Sequence, residues 1–460
     1  MLSQAVLLLA LGLSGFPKVD IVGESVVDPQ ALIFPEGQWG TCPNGMSFQQ
    51  EGLSSLGGWQ FATWYDASRR LCVGRRKLPD QAWEILRFAD YHLEGNDTHD
   101  VAVLGICPGD GSLHLAFDHH SDSLHYRRTR QGLDVTGNYR WEAAQFGAVG
   151  SELEGIGTLE QVTYPRFVST PEGRLQLCYR EGASGGGDIK LCAYEPDAEK
   201  WESLGTIISG RGKYEDSSSR NAYLNGLTYD RNGRLHLTWC WRENPDPLTN
   251  HDICYAWSDD RGRTWRSTTG RLVRSASGAD DTALIDIDTP GITVVPLGMK
   301  RGLLNQSTQA ADSRGRIHLV MHHYRDSAPD MAVWSLADPQ MRYFHYWRDT
   351  SGRWHYYELP FDPGSRPRLL LDSLDNAWLV FSGNWDSGSR HLRVAAATSD
   401  KLWRDWTVVY ESDKDYTGEA LVDPYRWRDE GVISVYIQEL EEAGKLFSAL
   451  KVIDFKPGQE

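Results

Sequence analysis

A degenerate unit recurs along this chain and limits what it can fold into: a turn closed by glycine or asparagine, then a short run alternating apolar and polar residues. It reads DGSLHLAF at Gly111, EGRLQLCY at Gly173, NGRLHLTW at Gly233, RGRIHLVM at Gly315, DNAWLVF at Asn376 and EGVISVY at Gly431. The spacings are 62, 60, 82, 61 and 55 residues. An earlier aromatic run, WQFATWYD from Trp59, makes seven units. Period-2 alternation marks a β-strand, and some sixty residues per unit hold four strands with their connections. The expectation is an all-β chain forming a seven-bladed β-propeller, one domain over residues 17–460. Eighteen Trp, 20 Tyr and 45 Gly beside only 6 Met suit many short strands and tight turns. The segment Ser258 to Trp265, SDDRGRTW, fits the pattern S-x-D-x-G-x-T-W, in which Asp caps a hairpin turn, Gly takes a positive φ and Trp packs between strands. It marks a fold, not a catalytic centre.

Opposed residues of an antiparallel hairpin keep a constant index sum. Around Pro108-Gly109-Asp110-Gly111 that sum is about 219; His99 and His119 sum to 218 and face each other with one residue of slippage. The hairpin about Thr170-Pro171-Glu172-Gly173 has a sum of 343, and Tyr164 with Arg180 gives 344. The next, about Asp230-Arg231-Asn232-Gly233, has 463, and Arg220 with Arg242 gives 462. Three successive hairpins thus carry titratable or cationic pairs at their open ends. The expected catalytic set is His99, His119, Tyr164 and Arg180, facing one central pocket. Arg166, Arg220 and Arg242 are expected to bind acid groups or hydroxyls of a substrate. His322, opposite Asn305 by the same arithmetic, is a further binding candidate.

A formal net charge of −16 argues against a nucleic-acid or anionic-membrane partner, since both are bound through basic surfaces. The run AVLLLALGLSG within residues 1–16 has the length of a signal-peptide core, lacks a basic leader and is too short to cross a bilayer. With sequons at Asn96 and Asn305 it leads to the expectation of a secreted, glycosylated monomer. Cys178 with Cys192, and Cys240 with Cys254, look like equivalent cross-strand sites in successive repeats. Disulfides there would agree with an oxidising compartment, and buried free thiols are the alternative.

Two imidazoles, a phenol and a guanidinium suit some reactions and not others. The mirrored positions hold no serine nucleophile and no pair of carboxylates of the kind glycosidases use. Catalytic zinc would accept the histidines, but no third ligand is evident. β-Elimination from a 4-linked uronic acid fits: arginine neutralises the carboxylate by a bidentate fork, and histidine or tyrosine moves the C5 proton and protonates O4.

The segments FDHHSDSLHYR, TYPRF, CYREGASGGGD and RNAYLNGLTYDRNGRLHLTWCWRE resemble the seven-bladed β-propeller polysaccharide lyases, a group that includes the ulvan lyases and, as the nearer match, the fungal L-rhamnose-α-1,4-D-glucuronate lyase that trims gum arabic. The resemblance implies His99 and His119 as acid/base pair, Tyr164 assisting proton transfer and Arg180 on the uronate carboxylate. It implies an anionic plant or algal polysaccharide as partner and no cofactor for the chemistry, with a structural calcium or zinc held by some relatives. Two rival readings carry their own signals. The Asp-box segment is shared with sialidase-like hydrolases, and Trp239 and Trp241 would suit a non-catalytic carbohydrate-binding propeller.

Overall fold

Three of the repeat turns, and one further hairpin turn, are each built around one carboxylate. Asp230 accepts hydrogen bonds from the backbone of Asn232 (2.8 Å) and Arg234 (2.9 Å), and its second oxygen meets His236 Nε2 at 3.3 Å. Asp312 does the same with Arg314, Arg316 and His318. Asp372 does so with Leu374, Asn376 and Trp378, and Asp349 with Ser351, Arg353 and His355. The acid closes the turn through residues two and four further on and pins the strand that follows through the sixth.

In the computed structural model, which describes residues 17–459 apart from 37–39, 138–139, 277–283 and 384–388, these turns organise a nearly all-β chain. The apolar leader within residues 1–16 lies outside the described residues. The seven repeats noted in the sequence fall on Trp59–Tyr65, Leu113–Phe117, Leu175–Ala183, Leu235–Arg242, Ile317–Tyr324, Ala377–Ser382 and Ile433–Glu439. Each is the partner of the strand preceding it in its sheet. The long strand Thr407–Val422 bends from one group of strands into the next. The first strand, Pro17–Leu32, pairs antiparallel with Phe447–Gln459 along most of its length, joining the two ends of the described chain.

Apolar clusters alternate with the sheets. Phe61 and Leu71 pack with Leu104 and Leu115; Val103 and Ala116 with Leu175 and Leu177; Leu191 with Leu235 and Trp239. The series continues until Val27, Leu450 and Val452 meet Leu53 and Trp64 of the first sheet. The Asp-box segment behaves as its pattern predicts: Asp260 accepts from Thr264 and Ser258, Gly262 has a φ of 85°, and Trp265 is fully buried.

Cysteine pairing differs from the disulfide expectation. Leu177 lies opposite Cys192, and Cys178 opposite Leu191, so Cys178 and Cys192 enter different core clusters. The same offset separates Cys240 from Cys254, and all seven thiols are free and buried.

Burial pushes the Asp312 carboxyl up, but hydrogen bonds from His318 and the Arg316 backbone outweigh it and hold the group at about 2. Its stabilising contribution is therefore complete above the ordinary Asp value near 4 and is lost as pH falls toward 2. Asp312→Asn should destabilise the fold by about 2 kcal/mol at neutral pH. Urea unfolding at neutral pH and near pH 2.5 should show the gap between variant and parent narrowing in acid.

Candidate active site

The residues preceding Ala102–Ile106 place His99 beside Asp97. Asp97 Oδ1 accepts from the His99 backbone (2.9 Å) and contacts its Nδ1 at 2.5 Å, while Oδ2 contacts His120 Nδ1 at 2.7 Å. Burial pushes the Asp97 carboxyl up, yet the two imidazoles hold it well below the usual carboxylate range. An ionised carboxylate only accepts, so both imidazoles carry their proton on Nδ1 and leave Nε2 basic. The His99 ring stacks on Phe48 (5.0 Å, 10°) and on His120 (4.3 Å, 22°). Burial lowers the His99 pKa, and Asp97 only partly opposes it.

His120, not His119, is thus the imidazole that meets His99. The ladder pairs Ala102 with Phe117, an index sum of 219 without slippage, and 219 points to His120. Beyond Phe117 the chain turns through Asp118 (φ 63°) and Ser121 (φ 76°), and His120 pairs with Thr163 in the neighbouring sheet. His119 faces inward, 1% exposed, with Nε2 accepting the His125 backbone N–H at 2.8 Å. Burial holds its pKa well below the ordinary imidazole value.

Tyr164 completes the stack, with ring contacts to Phe48, His99, His120 and Tyr223. It lies at a register shift in the ladder of Val162–Ser169 with Leu175–Ala183 and has a φ of 53°. A non-glycine residue in that region is strained, and bulges of this kind re-aim side chains at functional sites. Burial and Tyr223 raise its pKa, against the pull of Arg180, Arg242 and Arg366. The Arg180 guanidinium sits 5.0 Å over the Tyr164 ring. Its Nη1 donates to Tyr223 (3.3 Å), and its buried Nη2 has no hydrogen-bond partner among the described residues.

The other expected cations separate. Arg242 stands 5.3 Å over the Tyr223 ring at the edge of the cluster, its guanidinium donating to the carbonyls of Asn244 and Pro245. Arg220 is not available for substrate: it is fully buried and locked onto Glu243 by contacts of 2.7 and 3.0 Å. Arg166 lies beyond the bulge, buried near Glu51. His322 is fully buried, bonded to the Gly364 carbonyl at 3.0 Å, and held at about 4 by burial. Asn305 is also buried, its side chain accepting from Arg366, a position that excludes a glycan. The Gly182-Ala183-Ser184-Gly185-Gly186 stretch has the spacing of a nucleophile elbow but forms a tight hairpin turn, with Ser184 bonded to Tyr223.

Sequence reasoning missed Phe48, Asp97, His120, Tyr223 and Arg366. Arg366 donates to Glu419 (3.1 Å) and to the Asn305 carbonyl (2.7 Å), and its charge acts on both His99 and Tyr164. A signal existed: Tyr164-Pro165-Arg166 and Arg366-Pro367-Arg368 occupy equivalent places, each with its last residue four before a turn residue, Thr170 or Asp372.

Asp97, His99 and His120 also form a group with metal-ligand chemistry. Two ligands about 2.0 Å from a tetrahedral zinc lie roughly 3.3 Å apart. The 2.5 and 2.7 Å contacts are shorter and are those of hydrogen bonds, so the trio as arranged does not fit a zinc centre.

A model of the BNR repeat-containing family matches residues 59–361. An ulvan lyase, long isoform, from Alteromonas sp. is 23% identical over 252 residues, 46% of this chain and 25% of that protein; the match spans about a quarter of that relative's length. Among solved structures, polysaccharide lyase Uly1 superposes with a TM-score of 0.71 at 17% identity, covering 95% of this chain and 99% of the other. A PL25 ulvan lyase bound to -[GlcA(1-4)Rha3S]- superposes with a TM-score of 0.67 at 10% identity, covering 93% and 95%.

Nitrogen NMR of the imidazoles should report Nδ1–H tautomers for both His99 and His120 at neutral pH. In Asp97→Asn, the pKa of His99 should fall further, because the Asp97 contact raises it. An unchanged tautomer pattern and pKa in that variant would count against the shared-carboxylate arrangement.

Proposed function

The chain belongs to the BNR repeat-containing family, and on that premise we propose that it is a polysaccharide lyase acting on a 4-O-linked uronate by β-elimination. The observation that carries this reading is the opposed tuning at one cluster: an imidazole pushed down, a phenol pushed up, and between blades a guanidinium with one buried nitrogen unpaired. Groups whose environments drive their pKa values apart divide acid and base roles between them.

Arg180 receives the uronate carboxylate and lets charge accumulate at C5. His99 Nε2 takes the C5 proton, and Asp97 stabilises the imidazolium that forms. The electron pair forms the C4=C5 bond, the C4–O4 bond breaks, and the Tyr164 hydroxyl protonates O4. The products are a 4,5-unsaturated uronate and a free hydroxyl on the leaving sugar, and the chemistry asks for no cofactor. His120 fixes His99 by stacking and offers Nε2 to the sugar; Arg242 and Arg366 keep the potential positive. The architecture we propose is a seven-bladed propeller, supported by the unbroken cycle of cores between successive sheets.

For the substrate we propose a rhamnose–glucuronate linkage of the gum arabic type in a secreted setting, with ulvan as the second substrate to test. The second is favoured by the named relatives, one of them bound to a glucuronate–rhamnose sulfate repeat. Incubation with each polymer should raise the ultraviolet absorbance of the conjugated enoate; no rise with either overturns the lyase reading. His99→Ala and Arg180→Ala should lower turnover by about 10³-fold, and His120→Ala by about 10²-fold. His119→Ala should instead lower the melting temperature, with turnover per folded molecule retained.

The pH profile follows from the same tuning. His99 must be neutral to accept a proton, and its pKa lies below the ordinary 6.5. The value of kcat/KM should therefore hold from pH 8 down to about 6 and fall only in more acid solution.

A further inference from the structure

The inner strands Val162–Ser169, Asn221–Tyr229, Thr308–Ala311 and Arg368–Leu371 run away from the candidate active site and end around a separate cavity of about 1000 Å³. Its wall includes Gln50, Glu51, Asn225 and Arg368. Here buried polar atoms go unpaired. Asn225 is 1% exposed; its Oδ1 accepts the Ser307 backbone N–H, which fixes the amide and leaves Nδ2 with no partner among the described residues. Gln50 Nε2 is unpaired in the same way, as is one acceptor, Glu51 Oε2; Arg166 Nη1 and Ser47 Oγ, in side chains off the cavity wall, are unpaired as well. Asn225 stands at a register shift of its ladder, so the backbone irregularity itself turns this amide into the channel.

Unpaired donors therefore outnumber unpaired acceptors, and two buried guanidiniums, Arg166 and Arg368, face one carboxylate. Burial raises Glu51 to about 7 against the pull of both arginines, so near neutrality even that single negative charge is partly discharged. The lining also holds Arg231, Arg428 and Lys456, together with Asp230 and Asp372, whose carboxylates are engaged in their own turns. Cations therefore outnumber carboxylates in the lining, within a chain whose net charge is −16, and that local excess favours an anion there. Buried donors left unpaired cost free energy, and a ligand rich in acceptors removes that cost.

We propose that this cavity is a second, non-catalytic binding site for an oxyanion, held by Asn225, Gln50 and Arg368, with the buried charge of Arg166 beside Glu51 adding to the positive potential. The oxyanion is borne either by an acidic sugar or by a free inorganic ion. The site is independent of the lyase reading, because none of these side chains belongs to the aromatic stack.

The test is calorimetric titration of the Arg180→Ala protein, which removes the proposed carboxylate clamp of the active site. Sodium glucuronate, sodium sulfate and neutral glucose are titrated separately at pH 8. At least one anion should bind while glucose does not; glucuronate alone identifies a sugar acid, and sulfate identifies an inorganic ion. Adding Asn225→Leu should weaken binding about tenfold or more, and adding Glu51→Gln should tighten it by a similar factor, since a like charge is removed. The second change has a sign that misfolding cannot imitate. Binding of neither anion, binding equal to that of glucose, or affinity indifferent to both substitutions overturns the proposal.

Discussion

At Tyr164 and Pro165 the ladder between Val162–Ser169 and Leu175–Ala183 slips by one residue, and side chains on either side of the slip take opposite duties. Before it, Tyr164 turns toward His99; after it, Arg166 turns toward Glu51. Proline suits the position because it donates no ladder hydrogen bond, and a bulge leaves one donor unused in any case. The strained φ of Tyr164 is sustained by rings packed around it, Phe48 and Tyr223 among them. Without the slip, period-2 alternation would put the phenol and the arginine on the same face, and Tyr164 could not join the aromatic stack while Arg166 turned toward Glu51.

Electrostatics inside the molecule run opposite to its exterior. The chain is acidic overall, yet Arg166, Arg180 and Arg368 are buried within it and Arg366 is half-buried, each packed among backbone carbonyls, carboxylates or aromatic faces. Such cations cannot lose their protons, so their burial is tolerable only with partners nearby. Arg220 illustrates one solution, complete neutralisation by Glu243. Arg180 illustrates another, partial satisfaction by a phenol and a carbonyl, which leaves a nitrogen for something the chain itself does not provide.

The repeats were legible because period 2 and turn chemistry are local: a turn residue and an alternating run located at least one strand in every described sheet of three or more strands. Pairing arithmetic found the right hairpins, and it brought His99, Tyr164 and Arg180 together. It failed by single residues where parity matters most. A sum one short of the ladder value selected His119 over His120, and a sum one above it paired cysteines that point into different cores. Phe48, Tyr223 and Arg366 were hidden for another reason. Their approach to His99 and Tyr164 depends on strands separated by long stretches of chain, and a hairpin rule speaks only of neighbours.

The strand Pro17–Leu32 finds its partner in Phe447–Gln459, so the earliest described residues pair with the last. During synthesis, that first strand must wait with its backbone donors and acceptors unpaired until more than 400 residues have followed, a separation visible in contacts such as Lys451 with Glu24. An open edge of this length is a template for other strands. The alternation of acids with apolar residues in PKVDIVGESVVDPQ keeps that edge charged through the interval, a protection against aggregation written into the same strand that finally joins the two ends.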